Sequence, residues 1–462
     1  MIKEYWTEGK LEDLLNYVQP TNYIVDSTAY NDTYKTPVLT AGKTFILGYT
    51  NEENNIFTEL PVIIFDDFTT ATKYVNFKFK VKSSAMKILV PTSDEVNVKY
   101  VYYYMQTIRY NVDTHKRYWI SIFSKLNISI APLPEQRAIV AKIEELFSEL
   151  DSGIDSLNKA KKQLEVYRQA VLKAAFEGKL TKEWRKENNY SIKYLEKIKK
   201  DINEFILNKK GQDIPRRLPT VSFDELPEIP FGWLWVEAHK VCQSVRDGTH
   251  DTPKYEKTGI PLVTSKNLKD GDIDLENVSY ISISDHREIS KRSKVEEKDI
   301  LFGMIGTIGS PVIVKEDNIF SIKNVGLFKK NETLIKSRYL YYYLSSWFSK
   351  KIMSDKELIR GTTQKFISLG GLRMLPTPLP LIDEQEEIIK EIESRLSVCE
   401  NIEANIEEAF EKAEALRHSI LKKAFEGKLL SKEKLEACKQ EDDWEPAEKL
   451  LKRIKEATKE AK

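Results

Sequence analysis

A long internal repeat constrains this chain more than any other feature of its sequence. Residues 135–180 and residues 384–429 align without a gap at an offset of 249, and both copies end in Ala-Phe-Glu-Gly-Lys-Leu. A repeat of this length predicts two halves built on one plan. At 462 residues, the chain is also too long for a single core and suits several domains.

Apolar residues recur every seven positions within the repeat, a spacing typical of paired long helices. Helices of about 42 residues would each be about 60 Å long. One seam position is predicted at Ile143, Leu150, Leu157, Leu164 and Val171, and at Ile392, Cys399, Ile406, Ala413 and Ile420. The other is predicted at Ile139, Leu146, Gly153, Ala160, Tyr167 and Ala174, and at Ile388, Arg395, Ile402, Ala409, Leu416 and Lys423.

Heptads alone leave open whether the two copies pair with each other or with another chain. One hypothesis pairs them antiparallel about a local two-fold near Leu157 and Ile406. Leu150 would then face Ala413, and Leu164 would face Cys399, so that large residues meet small ones.

A globular segment precedes each copy of the repeat. Both segments mix short β-rich runs with one tyrosine-rich helical run, at residues 99–110 and 337–351. We expect these tyrosines to be core residues, since they alternate with apolar residues at helical spacing. The predicted fold is mixed α/β, with globular domains at 1–131 and 231–380 and long spacer helices at 132–180 and 381–430. A charged helical segment with a proline-rich linker is predicted at 181–230, and a helical tail at 431–462.

Composition narrows the possible classes of protein. Lys and Arg total 72 against 71 for Asp and Glu, so a nucleic-acid site would have to be a local patch. Three scattered cysteines argue against a disulfide framework or a zinc cluster and favour a reducing compartment. No run of 18 apolar residues occurs, so we expect a cytoplasmic protein.

The sequence contains no recognisable catalytic or metal-binding motif. Its five histidines lack metal-ligand spacing. It has no Pro-Pro dipeptide, which the Asn/Asp-Pro-Pro-aromatic loop of amino-methyltransferases requires, and no Pro-Asp of the kind that begins one nuclease motif. We therefore expect a non-catalytic chain that binds no metal.

Two polar loops at matching places in the halves are candidate DNA-binding segments, because their side chains are those that read base edges or hold phosphates. The first contains His115, Lys116, Arg117 and Tyr118, and the second contains Arg360, Thr362, Thr363, Gln364 and Lys365. Further candidates are Thr69, Thr70 and Lys73 in the first half, and Arg246, His250, Lys254, Arg287, Lys291 and Arg292 in the second. Ordinary solvated loops are the alternative interpretation.

Several of these segments together resemble the specificity subunit of type I restriction-modification systems. They are the Pro-Leu-Pro and Glu-Gln pairs before each long helix (132–136, and 378–380 with 384–385), the doubled Ala-Phe-Glu-Gly-Lys-Leu, Asp-Gly-Thr-His-Asp-Thr-Pro-Lys-Tyr at 247–255, and Glu-Ile-Pro-Phe-Gly-Trp-Leu-Trp at 228–235. The resemblance covers nearly the whole chain and is weakest in the first globular domain. The second copy departs from the first by an extra Leu381-Ile382-Asp383.

This resemblance implies two target-recognition domains, each reading one half of a bipartite double-stranded DNA sequence, with an antiparallel helix pair as the ruler between them. It also implies two methyltransferase subunits that hold S-adenosylmethionine, and restriction subunits that use ATP and Mg, with no cofactor in this chain. Two alternatives stay open: the specificity chain of another restriction-modification type, and a coiled-coil adaptor that does not read DNA.

Overall fold

The computed structural model describes residues 3–40, 44–110, 118–188, 191–209, 220–269, 271–306, 308–316 and 319–460. The chain divides into two compact units. The first unit contains Met1–Asn158 and Ile406–Lys462, and the second contains Lys159–Asn405. Each unit therefore combines one globular segment with part of both long helices, and the predicted mixed α/β fold is confirmed.

The helices include two of 44 residues each. No helix in the described ranges is long and apolar enough to cross a bilayer. In chain order they are α1 (Leu11–Leu14), α2 (Val98–Met105), α3 (Tyr118–Ser121), α4 (Leu133–Phe176), α5 (Lys182–Glu187), α6 (Ile192–Asn208), α7 (Ala238–Val241), α8 (Ile283–Ser293), α9 (Ser337–Ser345), α10 (Trp347–Asp355), α11 (Leu369–Arg373), α12 (Ile382–Phe425), α13 (Lys432–Lys439) and α14 (Ala447–Glu460).

The strands are short and lie within the two globular segments. Those of the first unit are β1 (Thr7–Lys10), β2 (Leu15–Val18), β3 (Thr36–Leu39), β4 (Ile46–Thr50), β5 (Val62–Asp66), β6 (Thr72–Val75), β7 (Lys80–Val81), β8 (Met86–Pro91) and β9 (Asn127–Ile130). Those of the second are β10 (Leu234–Glu237), β11 (Val245–Asp247), β12 (Ile260–Val263), β13 (Leu268–Lys269), β14 (Asp272–Ile273), β15 (Ser279–Ile281), β16 (Ile300–Gly303), β17 (Gly309–Ile313), β18 (Ser321–Ile322), β19 (Val325–Phe328), β20 (Ile359–Arg360), β21 (Phe366–Ile367) and β22 (Pro376–Leu379).

The two globular segments share one sheet plan. The first unit has an antiparallel sheet in the order β2-β8-β5-β6, a second sheet β4-β3-β7 and the pair β1-β9. The second unit repeats them as β11-β19-β16-β17, β15-β12-β18 and β10-β22. The parallel pairings also match, since β3 pairs with β7 and β12 with β18. The duplication therefore extends from the helices to the globular segments.

A buried carboxylate fixes the N-terminal turn of each long helix. Glu135 accepts a hydrogen bond from Nε1 of Trp6 at 2.9 Å, and Glu384 accepts one from Nε1 of Trp233, also at 2.9 Å. Each tryptophan directly precedes the first strand of its domain, β1 or β10. A carboxylate suits this position because the helix dipole is positive there.

A glycine in the left-handed conformation ends each long helix. Gly178 and Gly427 both have φ of +68°, which a glycine adopts at little cost. The N–H of Lys179 donates to the carbonyl of Ala174 at 2.8 Å, and that of Lys428 donates to Lys423 at 2.8 Å. These bonds complete the Schellman arrangement that satisfies the last carbonyls of a helix.

The last phenylalanine of each long helix packs edge-on against a pair of tyrosines. The Phe425 ring lies 5.1 Å from the rings of both Tyr100 and Tyr104 on α2. The Phe176 ring lies 5.4 and 5.3 Å from those of Tyr339 and Tyr343 on α9. The tyrosine hydroxyls donate to carbonyls of β9 and β22. These tyrosines are therefore structural, as their spacing predicts.

The two long helices run antiparallel within each unit, which confirms the predicted direction. In the first unit, Trp6 donates a hydrogen bond to Glu135 at the start of α4, and its ring lies beside Gly427 just after the end of α12. Further along the pair, Asp151 of α4 forms an ion pair with Arg417 of α12. In the second unit, Arg168 pairs with Glu403 at 2.7 Å. The facing of Leu150 by Ala413 and of Leu164 by Cys399 stays a prediction.

The seam between the helices differs in part from the predicted one. The first seam position is buried or half-buried throughout, but Gly153, Tyr167, Ile402, Leu416 and Lys423 of the second are exposed. The inward positions lie one residue later, at Phe147, Ile154 and Arg168 on α4 and at Leu396, Glu403, Phe410 and Arg417 on α12. The apolar pattern missed them because three of these positions hold charged residues that form ion pairs.

The segments that follow the long helices also correspond. After α4 come α5 and α6, and α6 buries Ile198 and Ile202 in the core of the second unit. After α12 come α13 and α14, and α14 buries Leu450 and Ile454 in the core of the first unit. The predicted single helix after residue 430 is thus a pair, and each pair completes the core of its unit.

Replacing Glu384 by alanine should destabilise the second unit by roughly 3 kcal/mol, because the change leaves a largely buried cation without its carboxylate. Glu384 pairs with Arg185 at 2.5 Å and accepts a hydrogen bond from Thr181 at 2.8 Å. Calorimetric unfolding would show the lower melting temperature. Glu400→Ala, an exposed position on the same helix, should change stability by less than about 0.5 kcal/mol. Equal effects of the two variants would contradict the anchoring role.

Candidate nucleic-acid interface

Several loops of the second unit leave one end of its four-stranded sheet. Asp247 ends β11 and is paired with Gly326 of β19, which is paired with Phe302 near the end of β16. The loop after β11, the turn between β18 and β19, and the glycine-rich turn between β16 and β17 all begin there. We call residues 248–255, 304–306, 323–324 and the hairpin 359–367 the loop edge of the second unit.

The hairpin formed by β20 and β21 is fixed at its base and exposed at its tip. The N–H of Gly306 donates to the carbonyl of Lys365 at 3.0 Å, and the N–H of Ile367 donates to the carbonyl of Met304 at 2.9 Å. Gly361 has φ of +93°, and a Cβ there would lie 2.3 Å from the Gln364 carbonyl oxygen. The tight turn therefore requires glycine and holds the tip in one conformation.

The predicted residues of this hairpin all lie at its exposed tip: Arg360, Thr362, Thr363, Gln364 and Lys365. They are long or hydroxylated polar side chains on a two-stranded ribbon whose base is buried at Ile367. Such a ribbon presents donors and acceptors outward without burying any of them. The structure therefore places the predicted set together on one protruding element.

A second cluster on the loop edge surrounds the buried carboxylate of Asp247. This side chain is 3% exposed. Its Oδ2 lies 2.9 Å from Nε2 of His250, and its Oδ1 pairs with the guanidinium of Arg292 on α8. Arg246 donates from one guanidinium nitrogen to the Arg292 carbonyl at 2.5 Å. The structure thus places His250 and Arg292 on one acid that the sequence did not single out, with Arg246 bonded to the backbone of Arg292.

The other predicted residues of the second unit are exposed. Lys254 lies on the loop after β11, while Arg287 and Lys291 lie on α8. Lys291 pairs with Glu288 at 2.5 Å. A pocket of about 350 Å³ opens between this helix and the loop after β11, and both cationic and acidic side chains line it.

A lysine with two acidic partners holds the segment that follows α8. Nζ of Lys329 donates to Glu296 and to Asp299, both at 2.6 Å, and to the Lys294 carbonyl at 3.2 Å. The hydrogen bond from Lys329 lowers the pKa of Glu296 to about 2. Burial raises the pKa of Asp299 in spite of the same cation. The charge of Asp299 is therefore costly without Lys329.

The first unit has a smaller loop edge at the turn between β5 and β6. Thr69 and Lys73 are exposed there, and Thr70 has φ of +61°. The carboxylate of Asp66 organises the turn by accepting hydrogen bonds from the Thr69 hydroxyl at 2.5 Å and from the Phe68 N–H at 2.9 Å. Thr69 in the turn and Lys73 on β6 are thus both presented to solvent.

This turn contacts the segment that follows the tyrosine helix, as its counterpart does in the second unit. Asp67 accepts a hydrogen bond from the N–H of Trp119 at 2.9 Å and lies 3.6 Å from Nζ of Lys87. In the second unit, Met304 of the equivalent turn accepts from Ile367. Trp119 and Ile367 thus contact corresponding turns, although Trp119 lies in the helix α3 and Ile367 in the strand β21.

The assignment of Tyr118 to the DNA-binding set is wrong. Its ring is 1% exposed and packs edge-on against Tyr110, with ring centroids 5.5 Å apart. A tyrosine at the start of a short helix beside the core supports the loop instead of contacting a ligand. His115, Lys116 and Arg117 lie outside the described residues.

Sequence reasoning missed Lys323 and Asn324 in the turn between β18 and β19. Asn324 has φ of +54°, and its side chain lies 2.9 Å from Nδ1 of His250. Lys323 donates to the hydroxyl of Thr252 on the loop after β11. The available signal was an asparagine between two short apolar runs, because asparagine tolerates the left-handed conformation.

Comparison with known proteins gives this architecture a family. Residues 3–166 and 232–412 match the type I restriction modification DNA specificity domain. The chain belongs to this family. The matched ranges contain both globular segments and most of both long helices, so the resemblance predicted from the repeat is confirmed.

Individual members of the family match to different extents. The chain is 45% identical over 175 residues to the specificity subunit of the type I restriction enzyme EcoR124I/EcoR124II from Escherichia coli. The aligned stretch covers 35% of this chain and 43% of that subunit. It is 28% identical over 404 residues to the EcoBI specificity subunit from the same species, which covers 84% of this chain and 77% of that subunit. The match thus spans less than half of the first relative.

A solved structure shares the fold over nearly the whole chain. It is described as "Structural basis underlying complex assembly and conformational transition of the type I R-M system", and one of its chains superposes with a TM-score of 0.59 at 16% identity. The superposition covers 93% of this chain and 100% of that one. At this identity the likeness concerns the fold.

Replacing Lys329 by methionine should destabilise the second unit by roughly 3 kcal/mol at neutral pH, because the buried Asp299 loses its cation. Asp299 has a raised folded-state pKa, so the cost of its charge disappears as the pH falls and the carboxyl is protonated. Glu296 has a depressed pKa, so its stabilisation by Lys329 is present above about pH 4.5 and is lost as the pH falls towards about 2. Both groups predict that the difference from wild type shrinks with acidification.

Unfolding midpoints between neutral pH and about pH 3 would measure this difference. Lys330→Met is the matched control, because this side chain is exposed and its ammonium donates to the backbone carbonyl of Glu297 at 2.9 Å. A difference that grows on acidification would contradict the assignment.

Proposed function

We propose that the chain is the DNA sequence-recognition subunit of a type I restriction-modification complex. The globular domain of each unit reads one half of a bipartite duplex target. The observation that carries the proposal is the doubled loop edge: the same strand order in each unit brings the same turn and the same post-tyrosine segment together. Two readers of one design suit a target with two parts.

The hairpin of the second unit supplies the chemistry for reading bases. A glutamine such as Gln364 can bind the N6 and N7 edge of adenine with two hydrogen bonds, and Arg360 or Lys365 can bind the O6 and N7 edge of guanine. The major groove is wide enough for a two-stranded ribbon. A ribbon fixed at its base loses little conformational freedom on binding, which favours specific contacts.

The cationic residues beside the hairpin suit the DNA backbone. Arg246, His250 and Arg292 form one cluster, and Lys254 is exposed on the same loop. Phosphate contacts fix the register of a protein on the duplex but carry no sequence information. The chain as a whole has a net charge of only +1, so local clusters have to provide this attraction.

The long helices act as the spacer between the readers and as the dock for partner subunits. A helix pair whose first seam position is buried or half-buried along both helices gives a stiff element, so the number of unread base pairs between the half-sites follows from helix length. The partners in this proposal are two methyltransferase subunits and restriction subunits. They carry S-adenosylmethionine, ATP and Mg, and this chain performs no chemistry itself.

Mapping methylated adenines in the host genome, with and without this gene, tests the proposed function. We expect one bipartite sequence to lose methylation when the gene is deleted. A methylation pattern that does not change would favour an adaptor without DNA readout. A lost sequence that is not bipartite, or co-purified partners with a different subunit plan, would favour another restriction-modification type.

Replacing Gln364 or Lys365 by alanine should relax sequence specificity in one half-site only. Each base-edge contact contributes about 1–3 kcal/mol of discrimination, so substituted targets should be methylated about ten times more efficiently relative to the wild-type target. Methylation mapping of cells that carry each variant would measure the change.

Lys351→Ala is the control, because this lysine is partly exposed on α10 of the same unit and pairs with Asp355 at 2.6 Å. It should leave the target unchanged. Equal relaxation at both half-sites, or none, would refute the role of the hairpin.

The isolated chain should bind DNA weakly, because its charge is nearly balanced and partner subunits supply much of the phosphate contact. Its dissociation constant should fall at least tenfold on assembly with the methyltransferase subunits, and the salt dependence should steepen. Fluorescence anisotropy over a salt series measures both quantities. Tight, salt-insensitive binding by the lone chain would contradict this expectation.

A further inference from the structure

The carboxylate of Asp247 is buried although the two side chains that pair with it face solvent. The side chain of Asp247 is 3% exposed, whereas those of Arg292 and His250 are 57% and 60% exposed. A buried carboxylate is costly unless it is paired and hydrogen-bonded. Among the described residues it pairs with two exposed side chains, so it links the core to the loop edge.

The backbone around Asp247 leaves its loop little freedom. The N–H of Gly248 donates to the Val325 carbonyl at 2.9 Å, and the N–H of Thr249 donates to the Ile322 carbonyl at 3.0 Å. A Cβ on Gly248 would lie 2.2 Å from the Ile322 carbonyl oxygen. The loop is therefore held against the β18–β19 turn before any side chain is considered.

His250 is held at both ring nitrogens. Nε2 lies 2.9 Å from Asp247 and Nδ1 lies 2.9 Å from the amide oxygen of Asn324. Asn324 is itself fixed, because its carbonyl accepts a hydrogen bond from the Ser265 hydroxyl at 3.2 Å. The imidazole thus has one orientation, with its exposed face and edge directed away from the sheet.

Arg292 comes from a different element and meets the same carboxylate. It lies in the last turn of α8, and its carbonyl accepts a hydrogen bond from Arg246. Only part of its guanidinium is used by Asp247, which leaves exposed surface for a planar, doubly bonded anion contact. A side chain that would otherwise sample many rotamers is therefore held in place.

We infer that Asp247 is a positioning residue that holds Arg292 as a preformed clamp for a DNA phosphate beside the half-site read by the second unit, and that His250 fixes the orientation of the Asp247 carboxylate. The inference rests on the proposed function and deepens it. The clamp and the hairpin leave the same end of one sheet, so a backbone contact at the clamp sets the register of base contacts at the hairpin.

The acidic groups near the clamp do not oppose this role. Glu288 and Asp251 line the neighbouring pocket, and Glu288 is neutralised by Lys291 at 2.5 Å. Lys323 adds a further cation on the adjoining turn. The local balance of charge therefore still favours the binding of an anion.

The Asp247→Asn variant distinguishes a positioning role from a purely electrostatic one, because the two predict opposite changes in the affinity for DNA. Removing a negative charge from a DNA-binding surface should tighten binding if charge alone matters. If Asp247 positions the clamp, the variant should instead bind the mapped target about tenfold more weakly, which corresponds to the loss of one charge-assisted contact. The slope of log affinity against log salt should fall by about 1.

The experiment uses the full chain assembled with its methyltransferase subunits and a duplex that carries the target mapped in cells. Asp251→Asn is the matched control, because it removes the same charge from an exposed position on the same loop. It should bind as tightly as wild type or more tightly. Arg292→Ala, a change at an exposed side chain that spares the core, should reproduce the weaker binding and the smaller salt slope.

A double-mutant cycle completes the test. If Asp247 acts through Arg292, the double variant should bind no more weakly than Arg292→Ala alone. Additive losses, unchanged binding of Asp247→Asn, or an unchanged salt slope would overturn the clamp. A lower affinity with relaxed sequence preference in place of a smaller salt slope would mean that these residues read bases. A wild-type complex without bipartite preference would instead refute the proposed function itself.

Discussion

The structure depends on one interaction that occurs twice: a buried glutamate in the first turn of a long helix that accepts a hydrogen bond from a tryptophan. Glu135 and Glu384 are buried, and a buried carboxylate is costly unless it is paired and hydrogen-bonded. Trp6 and Trp233 meet that need, and the positive end of the helix dipole adds to it. Since each tryptophan immediately precedes a strand, this bond sets where a sheet begins relative to a helix.

The second constraint is at the opposite ends of the helices, where Phe176 and Phe425 pack against tyrosine pairs. A helix start and a helix end meet in each unit, so neither globular segment can form its complete core from a contiguous stretch of chain. The antiparallel direction of the helices is a consequence of this arrangement. Helix pairs that follow each glycine cap then cover the remaining apolar surface.

Much of this plan could be predicted from the sequence, because the repeat and its heptads are local patterns. The spacer helices expected at 132–180 and 381–430 are observed at Leu133–Phe176 and Ile382–Phe425. The second seam was mispredicted, because charged residues such as Arg417 occupy inward positions and pair across the helices. The likeness of Trp6 to Trp233 was missed as well, since it appears at a different offset and depends on contacts distant in sequence.

The candidate site divides in the same way. The hairpin around Gln364 was predictable because its composition is polar and because the first half has a polar loop at the matching place in its sequence. The role of Asp247 was not, because nothing local distinguishes an acid that is buried between two strands and a helix from one that is solvated. The prediction for Tyr118 was wrong for the converse reason. An aromatic residue next to a basic run suggests a ligand contact, but this side chain is buried in the core.

The duplicated contacts at the ends of the long helices also show which residues a globular domain needs in order to pack against these helices. It needs a tryptophan just before its first strand and two tyrosines four residues apart on the short helix that is α2 in the first unit and α9 in the second. Loops of any sequence or length could be carried by a domain that keeps those three rings. The residues that attach a domain to the long helices are therefore not the residues of its loop edge, so the loops can vary while the attachment stays the same.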